Sequence, residues 1–158
     1  MPKKLTADAR NALLTAAAEE ATRQGDRRIG TEHLLLALLH DPKSRAAQAL
    51  NVSLDAARVA SHTLDVAALT SLGITVASVP DARPRARIRR LRPLTSGARE
   101  VLVRSINESR ASKSRQVDTT HFLLALLECQ EPDPAAQLMR ALKVSPDDVR
   151  SRLSDAAA

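Results

Sequence analysis

The 158-residue chain is 44% hydrophobic, too apolar for a disordered tail and long enough to bury a core. Ala and Leu make up most of that share and Phe122 is the lone aromatic, which excludes an aromatic-rich sheet and favours closely packed helices. The single cysteine, Cys129, excludes an intramolecular disulfide and any cysteine-based metal cluster, and following a leucine run it reads as a packed thiol. No stretch approaches the roughly 18 apolar residues of a membrane span. The net charge of +6 is unevenly spread. Asp81 to Arg92 holds six arginines against one acid, and the rest of the chain is nearly neutral.

Met1-Pro2-Lys3-Lys4 leads into a helical pattern without the apolar core of a signal peptide, so a soluble, cytoplasmic protein is expected. Thr6 suits an N-cap, apolar residues follow at Ala9, Leu13, Ala16 and Ala17, and Gly25 suits the stop after Gln24. A second helix opens at Thr31 and carries Leu34 to Leu39, apolar nearly all round and therefore central. Asp41-Pro42 predicts the start of a third helix, with proline at the first helical position. Ser53 opens a fourth that runs towards Leu69. Ser71 to Pro93, with Gly73 and three prolines, reads as a connector without a helix. Beyond it Thr95, Thr119, Asp133-Pro134 and Ser145-Pro146-Asp147-Asp148 mark four more starts.

The two sets of four are copies. Leu5-Thr6-Ala7-Asp8-Ala9-Arg10 recurs as Leu94-Thr95-Ser96-Gly97-Ala98-Arg99, and Ile29-Gly30-Thr31-Glu32-His33-Leu34 as Val117-Asp118-Thr119-Thr120-His121-Phe122. Ala46-Ala47-Gln48 matches Ala135-Ala136-Gln137, and Val52-Ser53-Leu54-Asp55 matches Val144-Ser145-Pro146-Asp147. Four blocks in one order with similar spacing mean a duplication. The expected fold is all-α: two pseudo-symmetric four-helix repeats, residues 1–70 and 94–158, joined by a connector over 71–93.

These blocks resemble the Clp N-terminal repeat domain that heads the ClpA, ClpB and ClpC classes of AAA+ unfoldase. The likeness covers nearly the whole chain, which is similar to stand-alone ClpC-like N domains of actinobacteria. No Gly-x-x-x-x-Gly-Lys-Ser/Thr is present, so no ATPase of its own is expected. The resemblance implies a non-catalytic module that receives proteins or peptides, as an adaptor, decoy or regulator in Clp proteolysis. It also implies, as in some ClpC proteins, recognition of phosphoarginine. A glutamate at the start of the second helix would pair with the guanidinium, and a threonine at the start of the first would face the phosphate. Glu32 and Thr6 hold those positions in the first repeat. In the second, Thr95 remains but Thr120 stands where the glutamate would be, so one pocket is expected. The residues by themselves also allow a plainer account, in which Thr6 caps a helix and Glu32 answers a helix dipole. The phenylalanines of the actinobacterial antibiotic-binding surface are absent from Met1 to Leu5 and from Arg92 to Thr95, so antibiotic capture is not expected.

His33 and His121 hold matched places beside the leucine runs, with no second ligand at helical spacing; they read as core or cap histidines, and no metal or cofactor is expected. No catalytic constellation stands out. The competing function is nucleic-acid binding, with Arg83, Arg85, Arg87, Arg89, Arg90 and Arg92 as the polyanion contact. Nothing resembling a recognition helix or a stacking aromatic accompanies that segment.

Overall fold

The computed structural model describes residues 7–75 and 92–157, with side chains from Arg10 onward. Eight helices are formed among the described residues: α1 Ala7–Gln24, α2 Thr31–Leu38, α3 Arg45–Leu50, α4 Leu54–Ser71, α5 Ser96–Ala111, α6 Thr119–Leu127, α7 Pro134–Ala141 and α8 Pro146–Asp155. The all-α, four-plus-four architecture expected from the sequence is what is found.

The leucine-rich helices occupy the centre. Every residue from Leu34 to Leu39 is buried on α2 and its end, and on α6 Phe122, Leu123 and Ala125 to Leu127 are buried. Each is covered by the long helix before it, α1 on α2 and α5 on α6. The contact faces use small residues at matched positions: Ala17 and Ala21 on α1, Ser105 and Ser109 on α5, all four without solvent exposure. Short side chains let the helix axes approach closely.

The halves are interlocked rather than merely adjacent. The third helix of each repeat packs on the other repeat: α3 lies against α6 and α8, and α7 against α2 and α4. Arg45 Nη2 donates to the Leu153 carbonyl at 3.4 Å, and Arg152 Nη1 to the Ala49 carbonyl at 2.8 Å. The second bond satisfies a carbonyl at the end of α3 that the helix leaves open.

Capping explains most boundaries. Ser53, Thr95 and Ser145 accept from the N–H three residues on, at 3.1, 3.2 and 3.4 Å. Gly25 takes φ +79° after α1, and the Asp26 N–H returns to the Ala21 carbonyl at 2.8 Å. One start differs from expectation: α3 begins at Arg45, not at Asp41-Pro42. Asp41 Oδ1 accepts from Lys43 N–H at 3.0 Å, closing a turn, and Ser44 becomes the cap by accepting from Ala47 N–H. In the second repeat no serine competes, and Asp133-Pro134 does start α7.

Candidate functional site

The site is built around the start of α2. Gly30 is extended there (φ −95°, ψ 178°) and has no side chain with which to cap. His33 reaches back in the manner of a capping box, its Nδ1 accepting from Gly30 N–H at 2.9 Å. An accepting Nδ1 places the proton on Nε2, which donates to Gln24 Oε1 at 2.9 Å and lies 3.2 Å from Asp26 Oδ2. Burial holds the imidazole below its ordinary pKa, against the pull of the Asp26 carboxylate. The second repeat echoes this, with Asp118 N–H 3.0 Å from His121 Nδ1 and Ser112 Oγ 3.0 Å from His121 Nε2. Asp26, Glu32 and His33 stand close enough to suggest a cation site. His33 has no free lone pair to offer one, because Nδ1 accepts from Gly30 N–H and Nε2 carries the proton donated to Gln24. The sequence expectation of two cap histidines is met.

Glu32 follows in the first turn of the same helix. Its carboxylate folds over Gly30, where any Cβ would collide with it, so glycine at 30 makes room for the acid. Its own backbone N–H donates to it, while Oε2 is buried with no hydrogen-bond partner. Burial, then the carboxylates of Asp26, Asp133 and Asp65, push the Glu32 pKa up to about 7. These acids come from the turn after α1, the start of α7 and the middle of α4. A partly buried carboxylate among like charges, with one oxygen unpartnered, is suited to a cation. A guanidinium, which can donate two parallel N–H bonds to a carboxylate, matches it best.

The opposite wall comes from the second repeat. Ile29 N–H donates to the Pro93 carbonyl and Thr95 N–H to the Ile29 carbonyl, both at 2.9 Å, in a short parallel bridge of Ile29 with Leu94. This sets the first turn of α5 beside that of α2. A Cβ on Gly97 would stand 3.3 Å from Thr31 Cγ2 and 3.4 Å from Asp133 Oδ2. Thr31 Oγ1 donates to Asp133 Oδ1 at 2.7 Å, and Ala135 N–H reaches both oxygens.

The sequence-derived candidates are thus regrouped. Thr95, expected to serve the second repeat, caps α5 next to the helix that carries Glu32. Thr120 lies on the first turn of α6, half-buried and without a charge, its N–H donating to Asp118 Oδ1. Thr6, Arg83, Arg85, Arg87, Arg89 and Arg90 lie outside the described residues. Arg92 is partly buried at the acidic cleft; its Nη1 donates to the Asp26 carbonyl, and its Nε is buried with no partner. Its use as a polyanion contact gains nothing from that placement. Phe122 is in the core, leaving no aromatic anchor at the surface. Burial, then Asp133, raises the Cys129 thiol to about 11, so it stays protonated, as a packed thiol should.

Sequence reasoning missed Asp26, Asp65, Asp133, Gly30 and Gly97 as members of one site. Asp133 was visible only as a cap, and nothing local marks Asp65. Among the described residues no helix is long and apolar enough to cross a membrane.

Comparison with known proteins bears on the family and the fold. The model of the Clp repeat N-terminal domain matches residues 4–86 and again 93–158. The negative regulator of genetic competence ClpC/MecB of Bacillus subtilis (strain 168) is 30% identical over 142 residues, covering 89% of this chain and 16% of that protein. The chain therefore spans only a small part of that relative's length. Among solved structures, the N-terminal domain of the chaperone ClpD from Arabidopsis thaliana superposes with a TM-score of 0.70 at 17% identity, covering 99% of this chain and 96% of that one. The Hsp104 N-terminal domain from Candida albicans gives 0.62 at 18%, covering 98% and 93%. Two family matches in tandem, over a double four-helix repeat, make this chain a member of the Clp repeat N-terminal domain family.

Proposed function

We propose that the protein is a non-catalytic binding module for proteins or peptides in a Clp system, and that it takes a phosphoarginine side chain at the Glu32 cleft. The observation that carries this reading is the buried, unpartnered Oε2 of Glu32 among three further carboxylates. A guanidinium bound there would supply the missing donors and relieve the like-charge repulsion. Its phosphate would meet the first turn of α5, where backbone N–H groups at a helix N-terminus favour an anion. The pocket is then shared between the repeats, Glu32 from one and the Thr95 to Ala98 turn from the other. With Thr120 in place of a second acid, one such site per chain is expected.

Calorimetric titration with phosphoarginine and with a phosphoarginine peptide tests this, with Glu32→Ala as control. Saturable one-to-one binding that the variant loses supports it. No heat from the intact protein would remove phosphoarginine, leaving a docking partner for an unfoldase, an adaptor or a substrate to be sought by pull-down.

A further inference from the structure

Arg92 stands where the two repeats meet, three residues before the Thr95 cap. The Ile29 N–H donates to the carbonyl of the next residue, Pro93, at 2.9 Å, which sets the Arg92 backbone beside the turn that leads into α2. The side chain is partly buried. Its Nη1 donates to the Asp26 carbonyl, and its Nε is buried with no partner. No carboxylate lies within ion-pair distance of it among the described residues; those of Asp26 and Glu32 approach His33 instead, at 3.2 and 3.8 Å. Arg58 shows the usual arrangement, its Nε and Nη2 both donating to the Glu20 carboxylate. On Arg92 that same edge makes no hydrogen bond among the described residues. Desolvating a cation against one neutral carbonyl costs stability, and nothing in the fold returns it.

Across the base of α2 the residues run Glu32, His33, Asp26, Arg92. The His33 ring separates the two carboxylates, and the Asp26 carbonyl holds the guanidinium. The Arg92 charge is felt at the imidazole, where it opposes protonation. An acid with an unpartnered oxygen and a guanidinium with an unpartnered edge thus share one cleft without pairing. The ligand that completes both carries a cation and an anion on neighbouring atoms. Phosphoarginine is such a group, its phosphate bonded directly to a guanidinium nitrogen. Plain arginine answers Glu32 alone, and a free phosphate meets Arg92 against the repulsion of four carboxylates.

We propose that Arg92 is the specificity-determining residue of the cleft, its Nε–Nη2 edge taking two oxygens of the ligand's phosphate while Glu32 takes the guanidinium. This rests on the reading of the cleft as a phosphoarginine site. The fork of donors matches two phosphate oxygens, as the point charge of a lysine does not. Arg92 leads into α5, so its side chain and the amides of that helix start act on the same phosphate. The contact is with a single phosphate held in the cleft, not with a polyanion surface.

Calorimetry on the full chain, with phosphoarginine and with arginine, compares the native protein with Arg92→Gln, Arg92→Lys and Glu32→Gln. Thermal melts of each variant check the fold. Arg92→Gln should weaken phosphoarginine about tenfold or more and bind arginine no more weakly than the native protein does. Arg92→Lys should recover part of the loss, and Glu32→Gln should lose both ligands. The proposal is overturned if Arg92→Gln keeps the native affinity for phosphoarginine, or exceeds it, which would make Arg92 an internal competitor for the acid. It is overturned also if Arg92→Lys binds no better than Arg92→Gln, the mark of a merely structural role. In each of those cases native binding that Glu32→Gln abolishes leaves the cleft reading standing. Absence of phosphoarginine binding by the native protein removes that reading and the role of Arg92 together.

Discussion

Thr31 and Asp133, 102 positions apart, share a 2.7 Å hydrogen bond that ties the first turn of α2 to the cap of α7. The bond joins the repeats at the edge of the acidic cleft, so Asp133 has two effects: it holds α7 in place and repels the charge on Glu32. Asp133→Asn keeps a capping oxygen and removes the charge. The Glu32 pKa should then fall from about 7 towards the ordinary range, readable by carboxyl NMR titration. Asp133→Ala loses the cap and the cross-repeat bond, with an expected cost of about 1–3 kcal/mol in chemical denaturation.

Glu32 itself should weaken the fold at neutral and higher pH. Its folded pKa of about 7 lies above the ordinary 4.5, so the native state holds a proton that the unfolded chain has released. Stability from this group therefore falls as pH rises from the ordinary value through about 7. Glu32→Gln should raise the melting temperature at about pH 8, have little effect at about pH 4, and abolish guanidinium binding. A variant less stable at pH 8 would contradict the strained-acid description.

The opposite dependence belongs to Glu20. Buried on α1, it takes Arg58 Nε and Nη2 at 3.2 and 2.6 Å and lies 2.7 Å from His40 Nε2. Burial pulls its pKa upward, but Arg58 and His40 outweigh burial and hold it below 4.5. Its contribution is present above that ordinary value and is lost as acidification carries the pH down through the depressed folded one. Arg58→Ala strands the carboxylate and should cost about 3 kcal/mol, with the loss shrinking in acid. Its second-repeat match, Arg150, is exposed and among the described residues pairs only with Asp147, at 3.4 Å, so Arg150→Ala should shift the midpoint little.

Lys113 stands at φ 54° after α5, where the first repeat has Gly25 at φ 79°. Left-handed backbone is strained for lysine and free for glycine. Lys113→Gly should therefore raise stability by up to about 1 kcal/mol, seen as a higher denaturation midpoint with unchanged slope.

Local features were the legible ones. Ser53, Thr95, Asp133 and Ser145 announced helix starts because a cap acts over three residues, and the repeated leucine runs announced the core for the same reason of short range. The α3 start escaped because Asp41 and Ser44 both suit a cap and only the turn geometry chooses between them. The site escaped further. Glu32 could be picked out from the repeat pattern, but its raised pKa depends on Asp26, Asp65 and Asp133, which arrive from three other parts of the chain. The packing of α3 and α7 on the opposite halves, and the bridge of Ile29 with Leu94, leave no mark in either repeat taken alone.

The most direct test of a pocket shared across the repeats is an amide NMR titration with a phosphoarginine peptide, residue by residue. The expected outcome is one saturable set of shifts in two places at once, Gly30 to His33 and Ser96 to Ala98, absent in Glu32→Gln. Shifts confined to one repeat, or unchanged by Glu32→Gln, would contradict the shared site.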